Sequence, residues 1–153
     1  MKFISHRGNL YGPDKVHENT EDAITHAISM EYDCEIDIWI LNDQLWLGHD
    51  YPQHKTTYEF IEKYKNNLWI HCKHIDALIK LKHSYNCFFH DKDLYTITST
   101  GIIWGNINSP ILTDGVCVMP ERSNVFNFNC FAICSDFPVH YKNIFESTQN
   151  NIN

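Results

Sequence analysis

The sequence has no apolar run that approaches the roughly 20 residues of a membrane-spanning helix, so we expect no stable membrane insertion. Its first residues, Met1–His6, turn polar at once and leave no apolar stretch of the length that a secretory signal needs. We therefore expect a cytoplasmic protein. No repeat, linker or low-complexity segment is evident before the polar tail at 147–153, which we expect to fray.

Positive charge is also scarce, because 12 Lys and Arg residues face 19 Asp and Glu residues, for a formal net charge of −7. This balance argues against nucleic acid as a partner, since such binding relies on a broad cationic surface. It is compatible with a small phosphate ligand held by a few local cations and a metal.

A disulfide framework is not expected either. The six cysteines include no C-x-x-C pair, and most lie in apolar, strand-like runs such as Val116–Val118 and Phe131–Cys134. Cysteine in such a run acts as a small hydrophobic residue, and without an export signal the thiols should stay reduced.

The composition that remains is that of a globular domain, with 153 residues of which 43% are apolar and 20% charged. We assign a single domain to residues 1–146. In its first half, strands are predicted at Lys2–Ser5, Cys34–Leu41, Leu45–Leu47, Leu68–Cys72 and Cys87–Phe89, and helices at Asn19–Glu31, Thr57–Tyr64 and Ile75–Leu81.

The second half has short apolar runs at Ile102–Trp104, Val116–Met119 and Phe131–Cys134, separated by loops too short for good helices, and then a predicted helix at Val139–Phe145. Alternating strands and helices imply parallel strands joined by right-handed crossovers. A complete (β/α)₈ barrel typically needs about 250 residues, so a barrel here must lack several outer helices. A homodimer interface would cover the strands exposed by their absence.

The strand Cys34–Leu41 carries the first candidate site. Because alternate side chains of a strand point to opposite faces, Ile36 and Ile38 share one face, and Glu35 and Asp37 share the other. Neighbouring carboxylates repel each other, and a divalent cation is a common reason for such a pair. The alternative is a polar side that simply faces solvent.

Three further polar groups follow apolar runs. The tripeptide His6–Gly8 combines a proton carrier, a planar guanidinium suited to phosphate oxygens, and a glycine that allows close approach of the backbone. His49 follows a predicted hairpin that would return it toward the two carboxylates. His71 and Lys73 share a face at the end of another strand. Each group alone is weak evidence, since such residues often have structural roles.

The order and spacing of these groups resemble the signature of the glycerophosphodiester phosphodiesterase family, in the PLC-like phosphodiesterase superfamily. The matching segments are His6-Arg7-Gly8, Glu18-Asn19-Thr20, Glu35-Ile36-Asp37 and His49-Asp50, with a later turn, Cys134–Pro138, similar to the end of that family's last strand. The resemblance is dense over residues 4–50 and thin between 73 and 133.

The resemblance implies a short, divergent member with an α/β fold, a reduced TIM-type (β/α) barrel with several outer helices missing in the second half. Its site would lie at the carboxyl ends of the strands. The roles implied by the family are general acid and base for His6 and His49, phosphate contact for Arg7, and a divalent ion, usually Mg²⁺ or Ca²⁺, for Glu35 and Asp37.

The sequence departs from the family at the third strand, where a Glu-x-Lys pattern normally provides another metal ligand. Here His71 stands in place of the Glu, while Lys73, near phosphate by the resemblance, is kept. Imidazole supplies no negative charge and favours transition metals such as Mn²⁺ or Zn²⁺. Three explanations are open: the preferred metal has changed, another acid such as Glu121 takes the place of the missing Glu ligand, or the affinity for the metal has dropped.

Other polar and aromatic residues extend the candidate site. Glu18 lies at the rim in the family and can join the metal shell, while His90 and Glu121 would face the same pocket in a barrel. Trp39 and Trp104 either line that pocket or pack in the core.

The expected function is a metal-dependent phosphodiester hydrolase acting on a small glycerol- or sugar-linked diester, with histidine general acid and base catalysis. One alternative is a lyase-type phosphodiesterase that forms a cyclic phosphate, as in the phospholipase D-like toxins of the same superfamily. The other is a catalytically weak phosphate-binding module, left after the third-strand Glu was lost.

Overall fold

Local signals in the sequence define the helices of the computed structural model, which describes residues 1–123 and 127–150. Helix α1 (Glu21–Ser29) begins after Thr20, whose hydroxyl accepts a hydrogen bond from the Ala23 amide at 3.2 Å. Helix α2 (Tyr58–Lys63) is capped by Thr57 and helix α3 (Ile75–Leu81) by the His74 ring. Helix α4 spans Pro138–Asn150.

The strands in chain order are β1 (Lys2–His6), β2 (Asp33–Leu41), β3 (Gln44–Leu47), β4 (His54–Thr56), β5 (Leu68–Cys72), β6 (Cys87–Phe88), β7 (Tyr95–Ile97), β8 (Ile103–Gly105), β9 (Gly115–Val118) and β10 (Ala132–Ser135). A short 3₁₀ helix spans Pro120–Arg122. The predicted strands and helices are thus present, and the structure adds β4 and β7.

These strands form a curled, mostly parallel sheet. Parallel pairs run in the order β6-β5-β2-β1-β10-β9-β8, so the first strand lies between the second and the last. The hairpin β3–β4 extends the carboxyl half of β2 and β7 pairs with β8, both antiparallel. Asn42 and Asp43 have φ of 49° and 61°, as the tight turn between β2 and β3 requires.

The result is a mixed α/β fold with a half-barrel sheet. In the described residues no backbone hydrogen bonds pair β6 with β8, so the sheet is not closed. The Phe88 and Trp104 rings of these two strands stack instead, with centroids 4.4 Å apart. No α-helix is found between β6 and β10 in the described part of the chain, in agreement with the expected loss of helices from the second half.

Apolar side chains pack on both faces of the sheet. On the outer face, Ile36 and Ile38 of β2 pack with the buried side chains of α1, α2 and α3, among them Ile24, Ile61 and Leu81. The inner face holds a second cluster formed by Ile4, Trp69, Phe88, Trp104, Val116, Ala132 and Cys134. Trp104, one of two tryptophans considered for the pocket, therefore packs in this inner cluster.

Helix α4 is longer than the helix predicted at Val139–Phe145 and spans Pro138–Asn150. Ser147–Asn150, which we expected to fray, continue the helix, while 151–153 of the predicted tail lie outside the described residues. No helix in the described ranges combines the length and apolar character that crossing a membrane requires. All six cysteines are free thiols, as expected.

Candidate metal and phosphate site

Polar side chains form a layer above the inner apolar cluster, at the carboxyl ends of the parallel strands. The layers arise because every second side chain of a strand points to the same face. In β1, Ile4 lies in the apolar cluster and His6 in the polar layer above it, and in β5 Trp69 and His71 are arranged in the same way. The polar layer comprises His6, Glu35, Asp37, His71, Lys73 and Asp136, all with buried or largely buried side chains.

The two carboxylates of β2 are among the most buried polar groups in the described chain, with Glu35 3% and Asp37 0% exposed. Their predicted placement on one face of the strand, opposite Ile36 and Ile38, is confirmed, and the structure shows that this face is buried. Glu35 Oε2 and Asp37 Oδ1 have no hydrogen-bond donor at acceptable geometry among the described residues. Buried polar atoms are seldom left in this state. Asp37 Oδ1 has Lys73 Nζ and His71 Nδ1 within 3.2 Å, whereas Glu35 Oε2 has no cationic side chain so close in the described part of the chain and is the oxygen with most capacity for a further ligand.

Asp37 is surrounded by cationic and amide groups. Arg7 Nε lies 2.9 Å from Oδ2 and Lys73 Nζ 3.2 Å from Oδ1, while the Asn19 side chain donates to Oδ2 at 2.9 Å. Although burial alone would raise the pKa of Asp37, the His71 ring and the two cations hold it well below its ordinary value. Asp37 is therefore ionised.

Glu35 is less well compensated. Burial and the charge of Asp37 raise its pKa above the ordinary value, against the opposing influence of His6, Arg7 and His71. Its carboxylate oxygens lie 3.9 Å from His6 Nε2 and 3.9 Å from His71 Nδ1. A second positive charge near Glu35 would remove this penalty.

The loop after β1 brings Arg7 under the carboxylates. Arg7 has φ of 57° and Gly8 of 87°, and a Cβ on Gly8 would lie 2.8 Å from Ala23 Cβ, so only glycine fits against α1. The Arg7 amide donates to Glu35 O at 2.9 Å. Glu18 Oε1 then accepts from Arg7 Nη1 at 3.0 Å and holds the guanidinium in place.

His71 lies beside both carboxylates. Its Nδ1 is 3.0 Å from Asp37 Oδ1, and its ring stacks on Phe88 and on His90 with centroid distances of 5.1 and 4.9 Å. Ligand atoms of Glu35, Asp37 and His71 all lie within 4.8 Å of one another. This cluster, with its two donor-free oxygens, fits a divalent cation.

His6 belongs to a chain of hydrogen bonds that starts at the last strand. Its Nδ1 lies 2.7 Å from Asp136 Oδ1, and that oxygen also accepts from Asn9 Nδ2 at 2.8 Å. Burial opposes ionisation of Asp136, but the bond to His6 prevails and lowers its pKa. Because an ionised carboxylate only accepts, Nδ1 carries the proton and Nε2 faces Glu35.

His49 lies in the turn after β3, as predicted for a hairpin that doubles back. Trp39 stabilises that turn, because its indole donates to Gly48 O at 2.6 Å. His49 Nδ1 is 3.4 Å from Lys73 Nζ. Burial, reinforced by the charges of Arg7 and Lys73, lowers the pKa of His49 to about 4, so the ring is neutral at neutral pH.

The remaining candidates lie around the site in other roles. Glu18 contacts Arg7 and not the carboxylate pair, and His90 covers the His71 ring. Burial, with the charges of His71 and Lys73, lowers the pKa of His90 to about 4. Glu121, which the sequence offered as a further acid for the metal, instead accepts hydrogen bonds from Ser135 Oγ and the Asp136 amide with its two oxygens.

Three site residues were not singled out from the sequence, namely Asn9, Asn19 and Asp136. Asn19 and Asp136 do stand within the segments that carry the family resemblance. That location in the sequence was the only signal that could have pointed to them. Asn9 had none, because it follows the His6–Gly8 tripeptide and acquires its role from a contact with a residue 127 positions away.

Comparison of the chain with protein-family models, with curated proteins and with solved structures returned no match.

Proposed function

We propose that this protein is a metal-dependent phosphodiester hydrolase, related to the glycerophosphodiester phosphodiesterases and built on a reduced TIM-type barrel, that acts on small glycerol- or sugar-linked diesters. One observation carries the proposal. His6, Arg7 and Lys73 converge from separate segments on a single pair of buried carboxylates, and a second histidine, His49, lies beside Lys73.

The charges of the site suit a phosphodiester. Of the site's four carboxylates, Glu18 pairs with Arg7 and Lys15, Asp37 with Arg7 and Lys73, and Asp136 with Arg122. Glu35 is left, with only His6 and His71 nearby among the described residues, for a divalent ion to neutralise. Lys73, and Arg7 through the part of its guanidinium that is not bound to Glu18 and Asp37, would offset the negative charge that grows on phosphate oxygens during displacement. A guanidinium fork is well suited to the planar contact with two such oxygens.

Glu35, Asp37 and His71 would hold the ion. The resemblance implies Mg²⁺ or Ca²⁺, and the nitrogen ligand favours Mn²⁺ or Zn²⁺. A bound divalent ion supplies Lewis-acid stabilisation of the phosphoryl oxygens. The apolar cluster below the polar layer keeps bulk water from the base of the site and strengthens each electrostatic contact there.

The two histidines differ in a way that suits opposite roles. His49, with a pKa of about 4, is unprotonated at neutral pH and can accept a proton from the nucleophile. His6 presents Nε2 to the site while Asp136 accepts from its Nδ1–H; as the acid, the ring would carry a second proton on Nε2 and give it to the departing alkoxide. We assign His49 as the base and His6 as the acid.

A metal-dependent assay on bis(p-nitrophenyl) phosphate and glycerophosphodiesters tests the proposal. His6→Ala and His49→Ala are each expected to lower kcat by about 10²–10⁴-fold, the usual contribution of a proton-transfer group. His83→Ala, an exposed histidine outside the site, is the matched control and should leave kcat unchanged.

Phosphorus NMR of the products separates hydrolysis from cyclic phosphate formation. A monoester product supports the hydrolase, and a cyclic phosphate that is not hydrolysed further contradicts it. Phosphate binding without turnover across Mg²⁺, Ca²⁺, Mn²⁺ and Zn²⁺ would contradict enzymatic function and favour a binding module.

A further inference from the structure

We infer that the site selects a transition-metal ion such as Mn²⁺ or Zn²⁺ over Mg²⁺ and Ca²⁺, with His71 as its nitrogen ligand, an inference that rests on the metal site of the proposed function. Three features of the structure lead to it: the donor set, the charge around Asp37, and the fixed position of the His71 ring.

The donor set is mixed. Carboxylate oxygens of Glu35 and Asp37 and Nδ1 of His71 share one small region, and Glu35 Oε2, in a side chain that is only 3% exposed, has no donor among the described residues. Ca²⁺ takes six to eight oxygen ligands and Mg²⁺ prefers an all-oxygen octahedron. Imidazole nitrogen is a common ligand of Mn²⁺ and Zn²⁺ and a poor one for the two hard cations.

The charge at the site also disfavours the hard cations. Asp37 already has the cationic groups of Arg7 and Lys73 at 2.9 and 3.2 Å and accepts a hydrogen bond from Asn19. Much of its negative charge is therefore offset before any ion binds. Because His71 adds a nitrogen and no negative charge to the two carboxylates, an ion held by charge alone is bound weakly, while one that bonds to nitrogen gains affinity.

The His71 ring has little freedom to turn away. Phe88 stacks on it at an interplanar angle of 7° and His90 at 17°. The ring is therefore held with Nδ1 directed at the carboxylates, 3.0 Å from Asp37 and 3.9 Å from Glu35. Asp37 Oδ1 nevertheless lacks a donor at hydrogen-bonding angles, so the ring does not satisfy that oxygen by itself.

Calorimetric titration of the metal-free full chain, without substrate, tests the inference with Mn²⁺, Zn²⁺, Mg²⁺ and Ca²⁺ in turn. Mn²⁺ and Zn²⁺ should each bind at least about 10-fold more tightly than Mg²⁺ and Ca²⁺. Mixed sites often prefer Zn²⁺, so the dependence on His71 is decisive. His71→Glu should reduce the ratio of Mn²⁺ to Ca²⁺ affinity by about 10-fold. An unchanged ratio in a folded variant overturns the inference.

A spectroscopic measurement on the unaltered chain covers the case in which His71→Glu fails to fold. Pulsed electron paramagnetic resonance of the Mn²⁺ complex should show a directly bound ¹⁴N nucleus, which ¹⁵N-histidine labelling converts to a ¹⁵N signal. His71→Gln should abolish it, and His83→Gln should retain it. A Mn²⁺ complex without nitrogen coupling overturns the inference.

These outcomes are independent of catalysis. Nitrogen-ligated metal binding without phosphodiester turnover would support the metal assignment and contradict the proposed function. Turnover that depends on Glu35, with Ca²⁺ bound as tightly as Mn²⁺, would support the proposed function and contradict the metal assignment.

Discussion

Glu35→Gln keeps the shape of a buried side chain and removes its charge, and its effect on stability should change sign with metal. In the metal-free protein, burial and Asp37 raise the pKa of Glu35, and its Oε2 has no donor among the described residues. An ionised carboxylate in these surroundings destabilises the folded state. The variant should therefore be more stable than the wild type when a chelator is present.

The size of the effect follows from the buried charge, because the amide of the variant also lacks partners. Desolvation of an unsatisfied buried polar group costs about 1–3 kcal/mol and more when the group is charged, so removal of the charge should raise the free energy of unfolding by about 1–3 kcal/mol at pH 8. For a chain of 153 residues, each kcal/mol corresponds to a shift of about 2–4 °C in Tm.

The pH dependence has a defined sign. Because the folded pKa of Glu35 lies above its ordinary value of 4.5, its contribution favours folding below pH 4.5 and is lost as the pH rises through the folded pKa. The advantage of Glu35→Gln should therefore be small near pH 4.5 and grow as the pH rises.

A bound metal ion should make the wild type more stable than Glu35→Gln. An ion at 100 times its dissociation constant stabilises a folded protein by about 2.7 kcal/mol, and the variant loses a ligand and most of that gain. Urea unfolding followed by circular dichroism, in chelator and in excess Mn²⁺, provides the measurement. Glu59→Gln, at an exposed position, is the control and should change stability by less than about 0.5 kcal/mol. A Glu35→Gln variant that is less stable in chelator at pH 8 would refute this reasoning.

Three other predictions concern the surroundings of the site. Asp136→Asn should lower kcat by about 10²-fold or more, because an amide does not supply the negative charge that the Asp136 carboxylate places beside His6 Nδ1. An unchanged kcat in steady-state kinetics would contradict that role. Gly8→Ala should lower the free energy of unfolding in urea by about 1–3 kcal/mol, since the added Cβ meets helix α1 at 2.8 Å. Gly101→Ala, at the same φ of 87° but in open space, should cost less, and equal losses would show that backbone strain alone is responsible. The acidic limb of the kcat/KM profile should lie below pH 6.5, because the pKa of His49 is lowered to about 4, whereas a limb at 6.5 or above would rule out His49 as the base.

Local patterns predicted the parts of the fold that depend on neighbouring residues. The alternation in β2 placed Glu35 and Asp37 on one face and Ile36 and Ile38 on the other, because a strand has a period of two whatever it pairs with. The helix predicted at Asn19–Glu31 is α1, which begins two residues later at Glu21, after the Thr20 cap; such a cap is a local signal because it acts within three residues. The three-residue strands β4 and β7 were missed, because so short a segment shows no periodicity.

The contacts that make the site depend on the register and curl of the sheet. Pairing of β1 with β10 brings Asp136 to His6 across 130 residues, and pairing of β2 with β5 sets His71 directly beside Asp37. The burial that raises the pKa of Glu35 likewise comes from strands distant in sequence. The sequence by itself determined which side chains each strand presents. Only the tertiary structure decided which of them meet, because strand order and register are set by packing of the whole sheet.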